Sequence, residues 1–153
     1  MMKYERLLQY AYDSGISIVE DFAVPEGYDG LYIRIDQKPV IFLRGWMSTD
    51  EKTCVLAEEI GHHQLTCHDR RLAKKSQVSR EEHLARGRAV EIIVSWQELK
   101  DALEQSSFCL YDCADLLSVT HPFLLSAITH YDEKCHDEMA AFRRATLSRS
   151  AAV

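Results

Sequence analysis

The sequence predicts an α+β protein: an amino-terminal helix, a small β-sheet containing a hairpin, then a mainly helical remainder. Three observations carry that prediction. Apolar side chains at Tyr4, Leu7, Leu8 and Ala11 recur at helical spacing. The segments 31–35 and 40–43 are apolar, the first of them alternating at period two, and flank a turn-forming stretch. Beyond Gly45 the strand rhythm stops and helix-start signals take over. Strands confined to one part of the chain and helices to another mark the α+β class.

Taken in order, the first helix is predicted over residues 2–14, ended by Ser14 and Gly15. Residues 16–19, Ile-Ser-Ile-Val, read as a short strand, and the Pro/Gly-rich residues 25–30 as a loop. Residues 36–39 turn the chain between the two hairpin strands. Ser48 and Glu51 stand in capping-box register, so a helix is expected to start there and run to about residue 67. The polar, basic residues 69–79 read as a loop. A long helix follows over about 80–105, then shorter ones near 112–117 and 122–131. The small, polar residues 143–153 are expected to fray, which leaves one domain over residues 1–142. Trp46 and Trp96 read as core or edge-of-core side chains.

With 153 residues the chain is long enough to bury a real core. Its 24 acidic residues outnumber its 18 basic ones, and the net charge of −6 argues against a direct grip on nucleic acid. The cysteines, Cys54, Cys67, Cys109, Cys113 and Cys135, are odd in number and lack a paired framework. Cys109 and Cys113 stand four apart, but no second Cys/His pair at zinc-finger spacing follows, so they read as ordinary buried or half-buried thiols of a reducing compartment. No segment is apolar enough for a leader or a membrane span, which makes a soluble cytoplasmic protein the expectation.

The chemistry concentrates in residues 56–63, Leu-Ala-Glu-Glu-Ile-Gly-His-His. Glu58 and His62, four apart on a helix, share one face, and Glu59 borders it. This is the spacing of the HExxH motif, in which residues i and i+4 hold a metal and the residue after the first ligand is the general base. Here glutamate takes the place of the first histidine. A carboxylate can ligate zinc, although two carboxylates and one imidazole shift the preference toward harder ions such as manganese. The competing reading is a helix face decorated with solvated acids and histidines.

Residues 56–63 resemble the ImmA/IrrE family of small metallopeptidases, whose motif runs Ala-His-Glu-Leu/Ile-Gly-His. The resemblance is to a branch associated with mobile elements of Gram-positive bacteria, which carries Glu at the first position. The second family signature, Glu-x-x-Ala-x-x-aromatic-Ala, is matched at Glu82, Ala85 and Ala89, with Arg88 where the aromatic is expected. The resemblance covers residues 49–94 well and the first helix and hairpin loosely. It implies a zincin-like helical part with its active-site helix at about 49–67, and one divalent ion, zinc or alternatively manganese, held by Glu58, His62 and Glu82. It implies further that Glu59 is the catalytic base, and that the substrate is a helix-turn-helix repressor of a prophage or integrative element, whose cleavage derepresses it.

Glu81 and Glu91 are rival third ligands, and otherwise solvated or salt-bridged to neighbours such as Arg88. His63 and His83 are candidates to polarise a scissile carbonyl; His68, His121, His130 and His136 fit no ligand spacing. Residues 111–131 have a helix-turn-helix rhythm, but the second helix lacks the basic or amide residues of a recognition helix and reads as packing or a protein-binding surface. Against the endopeptidase stands a non-catalytic relative that lost function with the first histidine and binds the repressor stoichiometrically. Glu58 and Arg88 favour that alternative, while the survival of Glu59, His62 and Glu82 favours the enzyme.

Overall fold

The computed structural model describes residues 1–65 and 75–152, with backbone alone for residues 21–22 and 75–78. Helix α1 (Lys3–Asp13) buries Leu7 and Ala11, two members of its predicted apolar stripe. Gly15 ends it with φ +71°, a left-handed position that glycine adopts without a β-carbon penalty. The strands β1 (Ser17–Phe22), β2 (Gly30–Ile35) and β3 (Lys38–Arg44) form a mixed sheet of order β1-β3-β2. β3 runs antiparallel to β2 and parallel to β1, so the middle strand is the last in sequence.

The hairpin is tighter than the predicted four-residue turn. Asp36 and Gln37 alone make it, with φ of 49° and 68°, the doubly left-handed turn whose twist suits a two-residue hairpin. Lys38 and Pro39 already belong to β3. Pro39 pairs with Arg34 on β2, and β1 joins β3 only from Val40 onward, so the missing proline N–H falls where β3 has one neighbour.

Helix α2 (Thr49–Leu65) starts where the capping box places it. Ser48 N–H donates to Glu51 Oε2 at 2.7 Å and Glu51 N–H to Ser48 Oγ at 3.2 Å. It lies between the sheet and α3, and its Leu56, Ala57 and Ile60 are fully buried. The predicted end of this helix at residue 67, the first part of the expected loop, Cys67 and His68 all lie outside the described residues.

Three predictions need correction. Helix α3 (Lys75–Ile93) begins inside the stretch expected to be a loop; its buried apolar positions fall later, at Ala85, Ala89 and Val90, so no apolar periodicity marks its start. The expected long helix over 80–105 is two, α3 and α4 (Trp96–Gln105). Ser95 interrupts it with extended backbone and caps α4: Glu98 N–H donates to Ser95 Oγ, and Ser95 N–H to Glu98 Oε2. Apolar periodicity continues across such a break and hides it.

Helices α5 (Leu110–Leu117) and α6 (His121–Lys134) match the shorter pair, and α6 turns Phe123, Leu124 and Ala127 into the core. The third correction is the tail. It continues as α7 (His136–Ala151), tied down by Phe142 against Trp96 and Phe108 and by Arg149 to Glu104 at 3.2 Å. One core cluster runs from Leu7 to Met139. Trp96 is at its edge, against Tyr131 and Phe142, but Trp46 is fully exposed with φ +68°, contrary to expectation. Its place in the short link between β3 and α2 leaves it no face to bury. Among the described residues no helix is long and apolar enough to cross a membrane.

Candidate functional site

Two helices build the site. α2 crosses α3 where Gly61 meets Ala85: a β-carbon on residue 61 would stand 2.5 Å from the Ala85 carbonyl oxygen. That close approach puts the flanking positions of the two helices opposite each other. His62, buried on α2, directs Nε2 to Oε2 of Glu82 on α3 at 3.3 Å. Glu58, one turn before His62, has Oε1 4.0 Å from Nε of Arg86, itself one turn beyond Glu82. Ala85 and Ala89 of the second signature are buried, and Ala85 is the residue against Gly61. The signature therefore describes a helix contact.

The other side of α2 faces the sheet. Glu59 lies over Gly30 at the start of β2, where an added β-carbon would be 3.0 Å from Glu59 Cγ and 2.6 Å from Val55 Cγ1. One turn on, His63 Nδ1 is 3.0 Å from the Tyr32 hydroxyl, with the two rings edge to face. Glycine at 30 and tyrosine at 32 share one face of β2, and Glu59 and His63 share one face of α2, so helix and strand run in step. Arg34 Nε donates to the Tyr32 hydroxyl at 3.3 Å.

Burial raises the Glu58 carboxyl above the ordinary range, with the Arg86 and His62 charges pulling it back down. Burial likewise lowers His63, helped by the Arg34 charge.

The sequence-predicted residues thus divide. His62 and Glu82 meet across the helix crossing, and Glu58 shares their side of α2 but is drawn to Arg86. Glu59 stands on the neighbouring, sheet-facing side. For a divalent ion the donor kinds are suitable, one imidazole and carboxylates. Two of the three approach each other, and among the described residues no three His, Cys, Asp or Glu groups are gathered as a cation would gather them.

Glu91, the rival on α3, is committed elsewhere. It accepts from His130 Nε2 at 3.0 Å and from Lys134, and pairs with Arg88 at 3.4 Å, as the salt-bridged reading has it. Burial would raise this carboxyl, but the Lys134 and His130 hydrogen bonds hold it below its usual value. Arg88, in the aromatic's place, also donates to Gln64 at 2.5 Å, and Gln64 to Tyr10 at 2.7 Å, which links α3 to α2 and α1. His83 is exposed and pairs with the exposed Glu133 at 3.2 Å. Gly87 lets His130 come close, its would-be β-carbon 2.7 Å from Nδ1.

The four described cysteines are free thiols: Cys54 and Cys113 are buried, Cys135 half-buried, and Cys109, contrary to expectation, exposed at the start of α5. Sequence reasoning missed Arg86 and Tyr32. Arg86 carried a usable signal, its position one turn after Glu82. Tyr32 carried none, because its partner lies across the fold.

The α+β fold thus brings an imidazole and a carboxylate together at the crossing of α2 and α3. A protein-family model described as Peptidase_M78, IrrE N-terminal-like domain, matches residues 11–124, and the chain belongs to that family. Membership supports a metallopeptidase-type function, that of a hydrolase, and implies a metal cofactor. No curated protein and no solved structure matches the chain.

Proposed function

We propose that the protein is a metal-dependent endopeptidase whose divalent ion, zinc or alternatively manganese, is held by Glu58, His62 and Glu82. The observation that supports this reading is the His62–Glu82 approach at 3.3 Å across the α2–α3 crossing, inside the segment matched by the family. A bound ion supplies a Lewis acid for the scissile carbonyl and for the attacking water.

The chain's own residues supply the rest. Burial of His62 keeps water from competing for its imidazole, and the Gly61–Ala85 contact sets how far Glu82 stands from it. Glu59, adjacent to the ligands but turned toward β2, is the general base that takes the proton of the attacking water. The Tyr32 hydroxyl fixes the ring of His63 beside it. The substrate is a helix-turn-helix repressor of a mobile element, cut in the cytoplasm to release the genes it controls; the protein itself does not grip DNA.

The test pairs metal analysis with cleavage. Protein purified without chelator carries near-stoichiometric metal that His62→Ala loses, and Glu59→Gln keeps the metal but loses repressor cleavage. Cleavage surviving Glu59→Gln sinks the base assignment.

One observation favours a second reading. Arg86 stands beside Glu58, so the first-position carboxylate has a cation without any metal. In that reading the chain is a non-catalytic relative that binds the repressor stoichiometrically. A metal-free protein forming a stable complex with uncut repressor is its signature.

A further inference from the structure

We propose that Arg86 is a built-in competitor for the metal: its guanidinium, paired with Glu58, opposes filling of the site until metal activity is high. The inference rests on the metal reading above and concerns what regulates that same site.

Three features carry it. Glu82 and Arg86 stand one turn apart on α3 and project from the same side of the helix, one toward His62 and the other toward Glu58. The contact of Gly61 with the Ala85 backbone fixes the spacing of α2 and α3, so Arg86 remains within reach of Glu58. Glu58 is half-buried, and a carboxylate taken partly out of water needs a positive partner.

Replacing a neutral histidine by glutamate adds a negative charge at the first motif position. Arg86 balances that charge in the metal-free protein. A divalent ion reaching Glu58 must displace the guanidinium and then sit within its repulsive field. Ion entry is therefore an exchange of one cation for another at Glu58, with the arginine swinging to solvent, where its side chain is already half exposed.

The test is a double-mutant cycle read in metal affinity, which needs no substrate. Zinc and manganese are titrated into the full chain, Arg86→Gln, Glu58→Gln and the double variant, with melting curves to show that each is folded. Arg86→Gln is expected to tighten zinc binding by about tenfold, the size of effect a half-screened charge exerts on a nearby ion. In the Glu58→Gln background the same change is expected to matter less than about threefold, because no carboxylate remains for the arginine to occupy.

Equal tightening in both backgrounds overturns the proposal in favour of general electrostatics. Unchanged or weaker binding by Arg86→Gln also overturns it, while metal binding by the parent leaves the peptidase reading standing. Failure of both parent and Arg86→Gln to bind either ion removes the metal reading and this inference together.

Discussion

The backbone carbonyl of Ala85 occupies the space in which a side chain on residue 61 would begin, 2.5 Å from the position of a β-carbon there. Neither partner can yield, since one is a helix backbone and the other a glycine in the middle of α2. Gly61→Ala is therefore expected to push α2 and α3 apart and to cost about 1–3 kcal/mol, the range for overpacking. Urea unfolding checks the loss. Metal binding should weaken beyond what stability explains, because His62 and Glu82 separate with the helices.

Ser95 separates α3 from α4 through a reciprocal cap with Glu98. Ser95→Ala leaves the first turn of α4 with unsatisfied N–H groups and is expected to cost about 1 kcal/mol. For a chain of this size that lowers the melting temperature by about 2–4 °C, readable by circular dichroism.

Glu91 gives a pH signature. Its carboxyl is held below the ordinary value by Lys134 and His130, so it stabilises the fold when ionised. That contribution is present above the unfolded-state value and lost as pH falls through the folded-state one. Glu91→Gln is expected to lose about 1–2 kcal/mol near neutral pH, with the difference from the parent closing in acid as the carboxyl takes up its proton. Denaturant melts at the two ends of that range decide it.

Zinc should stabilise the native protein and spare the unfolded chain. At about a hundredfold excess over the dissociation constant the gain is about 2.7 kcal/mol. Chelator removes it, and His62→Ala is expected to show no such gain. A melting temperature indifferent to zinc in the parent counts against the ligand set.

Much of this was legible in the sequence where the signal is local. The Ser48–Glu51 cap, the hairpin and the helical phase of Glu58 and His62 depend on residues a few positions apart. What escaped is non-local or overridden. The break at Ser95 lies within an unbroken apolar rhythm, and the tail from residue 143 is held as helix by Phe142 and Arg149, whose partners lie on α4 and just beyond it. For the site, sequence spacing put Glu58 and His62 on one face, but it could not reveal that Arg86 reaches Glu58, or that Glu59 looks toward Gly30.

The family match ends at residue 124, yet the outer face of α3 is covered from beyond that point. His130 sits on Gly87 and holds Glu91, and the Tyr131 hydroxyl donates to the Val94 carbonyl at 2.6 Å. A fragment cut at the family boundary would bare the back of the helix that presents Glu82. Truncation for crystallography or reconstitution should therefore keep α6, and with it the part of α7 that carries Met139 and Phe142 into the same packing.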